Sequence, residues 1–96
     1  MQGRRIYPDQ DGYIPDLKQP GDYGCPTAEN IKKWWHIITP NGHHGSLNPE
    51  VHKVTEHEDG TITVSPSIIV RIRKFGEKEF TEVWHGFLEK GIWREC

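Results

Sequence analysis

Long apolar runs are missing from this chain. The longest are Ile37-Ile38 and Ile68-Ile69-Val70, far short of the roughly 20 residues a membrane-crossing helix needs, so no span is expected. Met1-Gln-Gly-Arg-Arg leads into Ile-Tyr-Pro-Asp and not into an apolar stretch, so no secretory leader is expected either. Cysteine is scarce. The two residues, Cys25 and Cys96, cannot make a disulfide framework, and both are expected as reduced thiols of a cytosolic protein. An excess of charge is also absent, with 12 Lys and Arg against 14 Asp and Glu. That balance lacks the basic footprint of a general nucleic-acid binder and is too even for an acidic mimic of DNA. Apolar residues are only 33% of the chain, below the usual share for a globular domain.

Rings compensate for that shortage. Four Trp, three Tyr and three Phe each bring a large area to bury, so a core built on a few rings is expected. Ninety-six residues allow one domain at most. The composition changes near residue 33. Residues 1–33 hold Pro8, Pro15, Pro20 and Pro26 among glycines, which disfavours regular structure. Yet Ile6, Tyr7, Tyr13, Ile14, Leu17 and Tyr23 are spread through them. The reading is an extended arm laid on the body or on a neighbouring subunit, with a possible short helix over Thr27–Lys33 capped by Thr27. Residues 34–96 read as an antiparallel β domain. Trp34–Thr39, Val51–Glu58 and Phe80–Leu88 are rich in strand formers, Asp59-Gly60 is a hairpin signal, and Gly91 marks a turn before Ile92-Trp93-Arg94. Pro66 interrupts the strand that starts at Thr61, and Ser65 and Ser67 are expected to bond nearby backbone there. The fold class is mainly β, a small antiparallel sheet or sandwich with at most one short helix. Trp35, Ile37, Ile62, Val64, Ile68, Val70, Ile72, Trp84 and Phe87 are expected inward.

Six histidines are a surplus, because imidazole is both a common metal ligand and a general base near neutral pH. Their spacing matches no closed zinc pattern. No metal and no cofactor are expected; if a metal is bound, His43, His44 and His85 are its candidate ligands. The same residues mark the candidate binding surface. His85, bordered by Trp84, would be its floor and Asn41 to His44 its lip, with Gly42, Gly45 and Gly86 allowing close approach. Cys25, Ser65 and Ser67 have no assignable base, so no catalytic residue is named. Arg71, Arg73, Lys74 and Lys78 lie beside Phe75 and Phe80 but are matched by Glu77, Glu79 and Glu82, so nucleic acid is not the expected partner.

Val64-Ser-Pro-Ser-Ile-Ile-Val70, then His85-Gly-Phe87, then Gly91-Ile92 resemble the pattern of small phage and prophage proteins of unknown function, some of which carry the label ammonia monooxygenase. A chain of 96 residues without a span has no room for a membrane copper enzyme. The resemblance covers roughly residues 34–96. Many such proteins carry Cys-Pro-x-Cys after the first strand, where this chain has Thr39-Pro-Asn-Gly42, and Cys-His where it has Trp84-His85. If those thiolates hold zinc, the resemblance implies that this chain has lost the ligands together.

The expected function is that of a phage or prophage accessory protein that binds another protein, viral or host, without catalysis. It would work in the host cytoplasm or with the virion, and a homo-oligomer through the arm is a special case. The alternatives are a metal-dependent or histidine-based enzyme using His43, His44 and His85, and a nucleic-acid-binding protein.

Overall fold

The computed structural model describes all residues, Met1 to Cys96. Strand formers between turn residues give eight strands: β1 (Arg4–Ile6), β2 (Asp22–Gly24), β3 (Trp35–Ile38), β4 (His44–Leu47), β5 (Lys53–Glu56), β6 (Ile62–Ile72), β7 (Thr81–Glu89) and β8 (Ile92–Glu95). They form two four-stranded sheets in the orders β1-β2-β3-β4 and β5-β6-β7-β8. Every pairing is antiparallel except β1 with β2. The fold is therefore mainly β, as the sequence predicts. No helix in it is long and apolar enough to cross a membrane.

The short helix expected over Thr27–Lys33 does not form. The backbone N–H groups of Thr27 and Ala28 both donate to Gly12 O, at 2.9 and 3.1 Å. That contact holds the segment as a loop, and a single helical turn has too little local stability to compete.

The first residues stitch the two sheets together. Gly3 N–H donates to Gly91 O at 2.7 Å, and Trp93 N–H donates to Met1 O at 2.8 Å. The chain start thus lies along β8 before β1 joins the other sheet. On the opposite side the edge of β4 faces the second half of β6, and a groove of about 190 Å³ separates them. The sandwich is laced along one seam and open along the other.

Inward residues of both sheets meet in one cluster that includes Tyr23, Ile37, Leu47, Ile62, Val64, Ile68, Val70, Trp84, Leu88 and Trp93. Trp35 and Ile72 are half-buried. Phe87 corrects the expected core. Trp84, Gly86 and Leu88 are buried, so strand alternation places Phe87 on the outer face, where the Arg94 guanidinium lies 4.7 Å from its ring centroid. Pro66 falls at a register shift between Val64 and Ile68, because proline cannot donate to the ladder. Both cysteines are free.

One charge network fixes the arm. Asp22 is 1% exposed. Its carboxylate accepts Nε and Nη2 of Arg4, both at 3.0 Å, and the N–H groups of Lys18 and Gln19 at 3.1 and 2.9 Å. Burial alone would raise its pKa, but the Arg4 guanidinium and the two N–H donors outweigh burial and hold it below the ordinary 3.8. A carboxylate depressed in the folded state adds stability above its unfolded pKa, and that stability is lost as pH falls through the folded value. Asp22→Asn keeps the shape, loses the charge, and is expected to cost about 2 kcal/mol at neutral pH. The gap between wild type and variant should close as pH drops below about 4. Urea midpoints across that range test this, and a gap independent of pH would show that the charge is not the stabilising element.

Candidate functional site

The β3–β4 hairpin places the first group of expected site residues. Thr39 is fully buried, and its hydroxyl donates to Asn41 Oδ1 at 2.6 Å and accepts the His43 N–H at 3.0 Å. Gly42 takes φ of +90° to close the turn, a conformation that glycine adopts without a side-chain penalty. Asn41 Nδ2 donates to Val83 O at 3.0 Å. Asn41 is thereby tied to the backbone of β7, two positions before His85. The loop and β7 are in contact, as the composite surface requires.

The imidazoles do not converge. His43 and His44 are neighbours at the mouth of β4, and His44 lines the groove beside Ile69 and Arg71. His85 sits on the outer face of β7, where its Nε2 lies 3.0 Å from Ser67 Oγ and 3.7 Å from Cys96 Sγ. No three His, Cys, Asp or Glu side chains gather around a point where a metal could sit, so His43, His44 and His85 do not form a ligand set. Trp84, expected beside His85 on the binding surface, is not part of that surface. It is 3% exposed and points to the core, because successive residues of a strand face opposite ways.

Ser67 also departs from expectation. Its hydroxyl meets the His85 ring instead of backbone, and its carbonyl faces His52 Nε2 at 3.2 Å. Ser65 is exposed. The Ser67–His85–Cys96 row is a hydrogen-bonding chain on an open sheet face. His85 lines none of the larger concavities, so nothing there encloses a reacting group beside the imidazole. His52 Nδ1 is buried without a partner, at the junction of the β4–β6 groove with a second recess beside Trp34 and Trp35. Burial pushes the Cys25 thiol up, which keeps it protonated, and its Sγ lies 3.4 Å from Lys33 O. A protonated thiol of this kind is a poor nucleophile. Burial likewise lowers the His36 pKa, and its Nδ1 lies 3.3 Å from Ser46 Oγ.

Sequence reasoning missed two features. The first is the ribbon made by the distal parts of β6 and β7. β5 pairs with β6 only as far as Ser65, and β8 pairs with β7 only from Gly86. Beyond Ile72 and Thr81 the ribbon has no strand neighbours, and every residue from Arg73 to Glu82 is exposed. Phe75 is 108% exposed beside Gly76, whose φ is +85°. Phe80 is 61% exposed, with the Arg73 guanidinium 5.3 Å from its ring centroid. An aromatic residue inside Lys74-Phe-Gly-Glu-Lys78 was the available signal, since a hairpin tip offers a ring no core. The second feature is an open concavity of about 660 Å³ on the outer face of the second sheet, around Thr63, Lys90 and Arg94. Its residues are scattered along the chain and left no pattern to read.

Comparison with protein-family models, curated proteins and solved structures gives no match for this chain.

Proposed function

We propose that this chain is a non-catalytic accessory protein, of the kind its phage-like motifs suggest, which docks on another protein through the β6–β7 ribbon. One observation carries the reading: Phe75 offers its whole ring at the apex of a ribbon whose last ten residues, Arg73 to Glu82, are all exposed. An isolated ribbon gains nothing in its own fold from such a ring, and aromatic rings, phenylalanine among them, are enriched at protein interfaces. Phe80 and the Arg73 guanidinium over it would extend the contact. The charges favour a protein over a nucleic acid or an anionic membrane. Arg71, Arg73, Lys74 and Lys78 are offset by Glu77, Glu79 and Glu82, whereas phosphate-rich surfaces select a clear basic excess.

Phe75→Ser is expected to leave the melting temperature unchanged, since the ring makes no contact that folding needs. The same variant should weaken capture of a specific partner from host or phage lysate by at least about tenfold, confirmed by calorimetry with that purified partner. Equal binding by wild type and variant would reject the ribbon as the docking element. Binding to vesicles of anionic lipid, or to DNA with a steep salt dependence, would replace a protein partner with those surfaces.

A further inference from the structure

The concavity on the outer face of the second sheet has a chemical character of its own. It runs from Thr55 on β5 across Thr63 on β6 and Glu89 on β7 to Ile92 and Arg94 on β8, with His57 and Lys90 at one end. Thr63 Oγ1 is its hub. It accepts the Lys90 N–H at 2.9 Å and lies 2.7 Å from His57 Nε2. Ile92 is half-exposed and gives an apolar patch beside these polar groups. Among the cations, Arg94 is engaged by Glu89 at 3.0 Å. Lys90 has no carboxylate within ion-pair distance. Asp59 and Glu58 lie on the far side, in a shallower recess that shares His57 and Lys90. The Asp59 carboxylate is engaged by the N–H and hydroxyl of Thr61 at 3.0 and 2.6 Å.

Lys90 is also in the wrong place for its turn. Lys90 and Gly91 have φ of +47° and +76°, and they are the central pair of the β7–β8 hairpin. A two-residue hairpin loop with both residues at positive φ favours Asn-Gly or Asp-Gly. Lys90 is the one non-glycine residue of the chain in this conformation, which is disfavoured for a long side chain. Strain held at one residue that also brings an unpaired charge to a concavity is a pattern of binding sites.

We infer that this concavity binds a small organic oxyanion, a carboxylate or a phosphate ester, with its charge on the Lys90 ammonium beside the Thr55 and Thr63 hydroxyls and its apolar body on Ile92. The placement needs no rearrangement of the sheet. Glu89 and Arg94 line the far side and neutralise each other through their ion pair, so the uncompensated charge of the concavity is that of Lys90. This site is separate from the ribbon and does not depend on it.

The test uses the whole chain and two probes, phenyl phosphate and benzoate, followed by amide NMR shifts. Saturable shifts at Thr63, Lys90 and Gly91 are expected with at least one probe. The stronger probe assigns the anion as phosphate ester or carboxylate. Lys90→Gln should weaken that binding about tenfold, the loss of one charge-assisted contact, with little change in melting temperature. Lys90→Asn should weaken it equally while raising the melting temperature by about 4 °C, because asparagine suits the turn. Shifts that never saturate with either probe, or equal affinity in wild type and both variants, would overturn the site. A lower melting temperature for Lys90→Asn would also overturn it, by showing that the lysine serves the fold.

Discussion

Deleting residues 1–24 is expected to abolish cooperative folding. The segment contributes β1 and β2, one whole edge of the first sheet. Tyr23 is 1% exposed in the core, and Ile6, opposite Gly24 on the neighbouring strand, is buried as well. Burying each such side chain is worth about 1.5–3 kcal/mol. The deletion also strips partners from the part that remains. Trp93 Nε1 would lose Gly21 O, its acceptor at 2.9 Å, and the Trp93 N–H would lose Met1 O. A buried donor left unpaired costs about 1–3 kcal/mol. The total is on the order of 10 kcal/mol, the whole stability of an ordinary domain. A truncated chain should therefore show no sigmoidal thermal transition and collapsed amide dispersion. A sharp melt near the wild-type midpoint would mean that the arm is dispensable.

The sequence made this arm legible for a simple reason. The aromatic and aliphatic side chains among its prolines and glycines need somewhere to be buried, although that composition, read as disfavouring regular structure, gave no sign of strands β1 and β2. What could not be read was how it docks. The β1–β2 pairing is parallel and joins residues far apart in the chain, so no turn signal announces it. Asp22 shows the same limit. It reads as one acid among many until the fold brings Arg4 and two backbone donors around it. Around Asp59-Gly60 and Gly91 the signals are local. Gly60 and Gly91 take positive φ, and the flanking strands lie where alternation puts them. Phe87 was misplaced because Trp84 and Phe87 are an odd number of positions apart, and a regular strand cannot turn both inward. The candidate site was legible only in part. Asn41 reaches β7, but convergence of His43, His44 and His85 depended on side-chain directions that adjacency alone does not fix. Phe75 carried a usable cue, a ring with no core to enter. The Thr63–Lys90 concavity had none, since it is assembled from four strands and one strained turn.

Trp84→Ala is expected to be the most damaging single substitution in the body. The indole is buried, and it meets Trp93 edge to face, with ring centroids 5.4 Å apart and planes at 85°. Truncating a buried ring of this size costs about 3–5 kcal/mol, of which the aromatic pair supplies about 0.5–1.5 kcal/mol. Gly86 makes the arrangement possible. A Cβ at residue 86 would run into the Trp84 ring and into Arg94 O on β8. The missing side chain lets the indole lie across its own strand. Gly86→Ala should therefore destabilise strongly in wild type, and less so once the ring is gone. The Arg94 contact is backbone and persists, so relief will be partial. A double-mutant cycle on Trp84→Ala and Gly86→Ala, read from urea unfolding, should give a coupling of about 1 kcal/mol or more. Additivity within about 0.5 kcal/mol would mean that the ring does not rest on Gly86. The cost of Gly86→Ala would then come from the β8 backbone alone.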